Sequence, residues 1–234
     1  MTGTLLLIPS TLGGTSPQDV LPMKVLEHIQ STRYFIVEQS KAARAFLKSC
    51  EMPVAQQEIH VVELDKHDEK QDLDALLAPA LSGHNIGLLS DAGCPGVADP
   101  GAHVVAIAHR KGIPVKPLIG PSSLLLALMA SGLEGQRFCF NGYIPIDRNE
   151  RMKKLQQLED RALRFNETQL FIETPYRNNG MIEDVLKTLA GTTRLCLAAD
   201  LSTPNEWVRT LSVRDWKSNV PNLHKRPTVF LIGA

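Results

Sequence analysis

Residues 88–101 read LLSDAGCPGVADPG, an apolar run that ends abruptly in a segment holding three glycines and two prolines. Glycine lets a main chain come close to a ligand, and proline holds that approach rigid. The segment has no Lys or Arg, lacks GK[ST] and does not fit GxGxxG, so neither a P-loop nor a dinucleotide-binding turn accounts for it. Main-chain amides and carbonyls without fixed cations suit an adenosine or amino-acid moiety, or a ligand that carries its own positive charge, better than a triphosphate. A tight strand-to-helix turn would use the same residues, so the composition leaves both readings open.

Other chemistry-bearing residues are scattered. Cys50, Cys94, Cys139 and Cys196 lie more than forty residues apart, which excludes zinc-finger and CxxC spacing and makes a disulfide framework unexpected. His103 and His109 are six apart and do not share a helix face, while His28, His60, His84 and His224 have no partner at ligand spacing. No metal site is expected.

The elements that must position the loop follow from hydrophobic patterning. TLLLIPS (4–10), YFIVE (34–38), IHVVEL (59–64) and NIGLLSD (85–91) read as buried strands. Between them, 40–49, 70–81 and 101–111 carry apolar residues at helical spacing, and Ser16, Pro17 and Asp19 form a helix-start signal that Pro22 interrupts. Alternating strands and helices predict a mostly parallel α/β sheet. In an open sheet of this kind ligands sit beyond the carboxyl ends of the strands, which is where 88–101 falls.

After VKPLI (115–119) and a helix opened by Pro and Ser and closed by Gly132, the texture changes. RFCFNGYIP, a charged helix over 148–164, TQLFIE, a helix over 177–190, RLCLAAD, EWVRTLS and PTVFLIG predict a mixed sheet with less helix between its later strands. The fold class is therefore α/β in two domains, 1–114 and 115–234, with the junction near 112–120.

The 234 residues carry 25 Lys plus Arg against 25 Asp plus Glu, so net charge gives no global case for a nucleic-acid or membrane partner. MTGTLLLIPS lacks a basic leader region and LLLALMA is too short to cross a bilayer, so a cytoplasmic protein without a membrane partner is expected.

LLSDAGCPGVADPG, followed by GIPVKPLIGPSSLLLALMASGL and FIETPYR, resembles the tetrapyrrole methylase superfamily of S-adenosylmethionine-dependent methyltransferases. Its nearest branch is the bacterial 16S ribosomal RNA ribose 2'-O-methyltransferases, whose pattern includes SDAGTPxxSDPG, PGPSA and E[ST]PHR. The resemblance runs from GTLLLIPS to PTVFLIG. It implies two α/β domains with the cofactor in the cleft between them, commonly in a homodimer. Matched residue by residue, it implies cofactor contacts from Gly93, Cys94, Pro95, Val97 and Ala98, then Ser122 and Ser123, then Phe171 and Ile172, and finally Ala199, Pro227 and Thr228. Ser122 also reads as a helix cap, and Thr228 as an ordinary β-branched strand residue.

The departures fall on substrate motifs. Where that branch has an ATPIGN-like segment and EDTR, this chain has IPSTLGGT and EQSKAAR, and a HEHN-like stretch is represented at best by KHDEK (66–70). Within the expected cleft the candidate bases are Glu38, His67, Asp91, Asp99 and Glu173; none is singled out, and Asp91 and Asp99 read more readily as holding their own loop through main-chain hydrogen bonds. Three functions stay open. One is methylation of a ribose hydroxyl of small-subunit ribosomal RNA, with a basic face from Arg148, Arg151, Lys153, Lys154, Arg161 and Arg164, although interleaved Glu150, Glu159 and Asp160 make that run equally a solvated helix face. The second is methylation of a tetrapyrrole or other small molecule, against which the porphyrin branch's GxGPGD is absent. The third is cofactor binding without turnover.

Overall fold

The computed structural model describes residues 2–64 and 72–234. They divide into two compact units that meet in sequence at Ser122 and Ser123. In the first, the apolar runs become β1 (Leu5–Ile8), β2 (Tyr34–Val37), β3 (His60–Glu63), β4 (Ile86–Leu89) and β5 (Val115–Pro117), all parallel in the order β3-β2-β4-β1-β5. Every residue of β4 is buried, as a central strand covered on both faces requires. Because β5 pairs with β1 (Leu5 opposite Val115), it belongs to the first sheet, and the units divide after it rather than at the expected 114/115.

Proline sets the helix breaks. The helix signalled by Ser16 and Pro17 is only α1 (Pro17–Val20): Leu21 is extended, Pro22 offers no amide, and α2 (Met23–Ser31) starts afresh. The apolar spacing over 70–81 resolves into α4 (Leu73–Leu76), opened by the Asp72 carboxylate accepting from the Ala75 amide, and α5 (Ala78–Leu81) around Pro79; residues 70 and 71 of that expectation lie outside the described residues. The two longest crossovers of this unit are α3 (Ser40–Ser49), which buries Ala43 and Leu47, and α6 (Gly101–Arg110), which buries Val104, Ile107 and Ala108.

The second unit contains α7 (Ser123–Ser131), β6 (Phe138–Tyr143), α8 (Arg148–Phe165), β7 (Thr168–Ile172), α9 (Asn178–Thr188), β8 (Arg194–Ala199), β9 (Trp207–Ser212), α10 (Val213–Trp216) and β10 (Thr228–Gly233). Its sheet has the order β6-β7-β10-β8-β9 and is mixed: β6 and β7 are parallel, and the other pairings are antiparallel. β10 is the buried centre; its Phe230 stacks on Phe171 of β7 at 5.0 Å between ring centroids. Fully buried Trp216 donates its indole N–H to the Leu195 carbonyl at 2.8 Å, so a bulky residue enters the core without stranding a polar group. Among the described residues, no helix is long and apolar enough to cross a membrane.

Candidate functional site

Three strand ends converge in the first unit. In the order β2-β4-β1, Val37, Leu89 and Ile8 lie in register, so Glu38 and Ser90, one residue on, and Ser10, two residues on, come together at the carboxyl edge of the sheet. Hydrogen bonds join them. Ser10 Oγ donates to the Ser90 carbonyl at 2.9 Å, and Glu38 Oε1 accepts both Ser90 Oγ–H and the Asp91 amide at 3.2 Å. The Ser10 amide bonds the Gly93 carbonyl at 2.9 Å. None of the serines stood out in the sequence, although Ser90 and Ser10 each follow an apolar strand by one or two residues.

The loop that follows has the unusual backbone its composition implies. Gly93 and Gly96 take φ of 73° and 79°, and Ala98 follows at 57°, a left-handed conformation that a non-glycine residue adopts at a cost. Asp99 is the anchor. Its Oδ1 accepts the amides of Gly96 at 2.8 Å and Gly101 at 2.6 Å, closing the loop onto the first turn of α6. Burial pushes the Asp99 carboxyl above the ordinary range against the pull of those two amides, and the neighbouring Glu38 carboxylate pushes it further. Asp99 is thus an Asx-type clamp, the alternative the sequence favoured. Cys94 is half-buried and directs its thiol to the Pro121 carbonyl at 3.5 Å; burial raises its pKa, which disfavours the thiolate. Pro95 is buried, whereas Val97 and Ala98 are exposed.

Beside this loop lies a cavity of about 640 Å³, bounded by the β1–α1 loop, residues of α3 between Ala42 and Ser49, and the end of β4 through Ala92. Ser90 and Asp91 belong to its lining and to the hydrogen-bond cluster on Glu38 at once.

In the second unit the register gathers most of the remaining predicted residues. Thr228 sits opposite Ala199, and the next residue of β10, Val229, sits opposite Ile172, so the end of β7, the end of β8 and the start of β10 coincide. The side chains differ in access. Phe171 and Ala199 are buried in the core, Ile172 is half-buried and Pro227 is exposed. Thr228 is buried and satisfied, its hydroxyl donating to the Arg226 carbonyl at 2.9 Å and accepting from Asn178 at 3.3 Å. Ser122 and Ser123 are half-buried at the start of α7.

The candidate bases separate clearly. Glu173 is buried with one oxygen on the Thr174 amide at 2.7 Å and the other on Arg177 at 2.5 Å, which makes it a clamp for the turn after β7. His67 lies outside the described residues. Glu38 and Asp91 remain at the strand ends. The expected basic face is partly spent: Arg148 and Arg151 both bind the buried Asp184 carboxylate, and Arg161 pairs with Glu167. Cys50 and Cys196 are buried, with pKa values pushed up to about 12 and about 11 by loss of solvent. Among the described residues no group of His, Cys, Asp and Glu could hold a metal ion.

Comparison with known proteins gives these features their setting. The family model for Tetrapyrrole (Corrin/Porphyrin) Methylases matches residues 14–216. The chain belongs to the tetrapyrrole methylase family. It is therefore an S-adenosylmethionine-dependent methyltransferase of that family. A ribosomal RNA small subunit methyltransferase I of Escherichia coli O157:H7 is 28% identical over 233 residues, covering 98% of this chain and 77% of that protein. The protein of the same name from Pasteurella multocida is 34% identical over 174 residues, covering 72% of this chain and 60% of its own length. The crystal structure of the methyltransferase CobJ superimposes with a TM-score of 0.66 at 17% identity, over 99% of this chain and 94% of that one, which confirms the two-sheet fold.

Proposed function

We propose that this methyltransferase moves the methyl group of S-adenosylmethionine to a ribose 2'-hydroxyl of small-subunit ribosomal RNA. The observation that carries the reading is the match of 98% of the chain to a protein named for that RNA subunit. The cofactor would rest on the main chain of the 90–101 loop, with Gly93, Cys94, Pro95, Val97 and Ala98 presenting it. Ser122, Ser123, Phe171, Ile172, Ala199, Pro227 and Thr228 are proposed as further contacts, Phe171 and Ala199 through main-chain atoms because their side chains are buried.

The sulfonium is already a good leaving group, so the protein has chiefly to align acceptor oxygen, methyl carbon and sulfur and to keep water out. The ribose oxygen forms the new bond to carbon, the carbon–sulfur bond breaks with its electron pair returning to sulfur, and the hydroxyl proton must leave. Glu38 is the proposed acceptor of that proton, because Ser90 and Asp91 hold its carboxylate at the strand ends beside the loop. A homodimer working in the cytoplasm completes the proposal; exposed Met129, Tyr143 and Ile146 give the second unit apolar surface for self-association.

The test is transfer of radiolabelled methyl to deproteinised RNA, small ribosomal subunits and a tetrapyrrole panel. Label in RNA, resistant to alkali at one 2'-O-methylated position, is expected. Label confined to a tetrapyrrole, or no label in any acceptor, overturns the reading.

A further inference from the structure

We propose that the 640 Å³ cavity beside the loop is the acceptor pocket and takes one unpaired nucleoside of the RNA substrate, an inference that rests on the function proposed above. Small-molecule sites span about 300–1,000 Å³, so the cavity has room for a base and its sugar.

Its chemistry selects among acceptors. Among the described residues the only charged side chain in the lining is Asp91; the rest are hydroxyls, small residues, Pro17, Leu89 and the Phe46 ring. A phosphate or a tetrapyrrole bearing several carboxylates would bury anions there with no cation among the described lining residues to meet them, which is costly. A nucleoside is uncharged. Phe46, half-buried on α3, offers it an aromatic face, and Ala42, Ala43 and Ala45 leave the wall low. On the opposite wall, a side chain added at Gly14 would meet nothing within 4 Å, so the space above that main chain is open to a ligand.

Cations lie where a polynucleotide would need them. Lys41 and Lys48 are exposed on α3, each one residue away from a lining residue, Ala42 and Ser49. Arg44, between them, is turned aside to the carbonyls of Gln56 and Ile59. A nucleoside seated in the cavity would leave its flanking phosphates at the rim, near those lysines, where their contribution is electrostatic and salt-dependent. Seating it requires that the nucleotide be unpaired or extruded, the usual condition for enzymes that act on single nucleotides. The link to chemistry is Asp91: it lines the cavity, and its amide is held by the Glu38 carboxylate, so an acceptor in the pocket lies alongside both the cofactor loop and the proposed base.

The experiment uses the whole protein saturated with S-adenosylhomocysteine and labelled at alanine methyls, titrated separately with cytidine, adenosine, inorganic phosphate and a polycarboxylated tetrapyrrole. Nucleosides should shift the Ala42, Ala43 and Ala45 methyls, and phosphate should not. Gly14→Leu and Ala45→Leu, which fill the cavity from opposite walls, should weaken nucleoside binding by about ten-fold or more while leaving S-adenosylhomocysteine affinity unchanged. The proposal is overturned if S-adenosylhomocysteine itself moves the three alanines, if only phosphate or the tetrapyrrole does, or if nucleosides perturb other residues alone. Nucleoside binding here with no methyl transfer to RNA would sink the proposed function and leave the pocket standing.

Discussion

Glu38 and Asp91 lie 53 residues apart in sequence, yet the Glu38 carboxylate accepts the Asp91 amide at 3.2 Å across adjacent strand ends. The same oxygen takes the Ser90 hydroxyl, so this carboxylate ties the proposed cofactor loop to β2 through two residues that line the proposed acceptor pocket.

The first prediction separates those two roles. Glu38→Gln keeps an oxygen for the Asp91 amide but cannot take a proton. Its kcat should fall by about 10²–10⁴-fold with cofactor affinity unchanged. Glu38→Ala should lose kcat and also weaken cofactor binding, because the loop loses its tie. Single-turnover methylation together with calorimetric titration reads both; a fully active Glu38→Gln variant removes Glu38 as the base.

The second concerns pH. Asp99 has a folded pKa above its ordinary value, so the fold favours its protonated form. The stabilisation is complete below the unfolded value, about 3.9, and is lost as pH rises through the raised folded value. Asp99→Asn keeps an oxygen for the Gly96 and Gly101 amides and adds no charge beside Glu38. The melting temperature of Asp99→Asn minus that of the parent should therefore grow as pH rises from acid toward neutrality. A constant or shrinking difference contradicts the assignment.

How much of this was visible beforehand varies by residue. Strong, uninterrupted signals located their elements: LLLI, FIV and IGLL gave buried parallel strands because such runs pack on both faces, and the DAGCPGVADPG loop declared its backbone through glycine and proline. Asp99 could be read as a clamp because Asp, two residues before glycine, commonly bonds main-chain amides. The Glu38–Asp91–Ser90–Ser10 cluster could not, since it depends on strand order, and no local pattern states that β4 lies between β2 and β1. Glu173 looked like a base candidate until its turn placed Arg177 against it. Phe171 marks a strand end as expected, but its ring faces Phe230, because in a strand alternate residues point to opposite faces and sequence does not say which face is the core.

A third prediction tests whether the loop works through its main chain. Gly93 has φ of 73°, and an added Cβ would come 3.3 Å from Leu12 Cδ2, so Gly93→Val both strains the backbone and crowds the loop. Its cofactor dissociation constant should rise by about ten-fold or more. Cys94→Ala loses only a weak thiol bond to the Pro121 carbonyl and should bind like the parent. Circular dichroism must first show that both variants fold; calorimetry then decides, and the reverse ranking would mean that side-chain chemistry, not backbone, holds the ligand.

The last prediction divides the basic run by what its members touch. Arg151 gives two nitrogens to Asp184 at 2.9 and 2.6 Å and a third to the carbonyls of Pro145 and Ile146, while its own side chain is 14% exposed and that of Asp184 only 5%. Removing it strands a buried carboxylate that Arg148, 58% exposed, meets at a single oxygen. Arg151→Ala should therefore cost about 3 kcal/mol of stability, the lower end expected for breaking a buried pair. Lys153 is exposed and Lys154 half-exposed on the same helix. The double change Lys153→Ala and Lys154→Ala should leave stability nearly untouched and, if this face meets RNA, lower affinity and flatten its salt dependence. Urea unfolding and filter binding at two salt concentrations distinguish the classes: a stable Arg151→Ala variant with impaired RNA binding would reverse the assignment and make Arg151 an RNA contact.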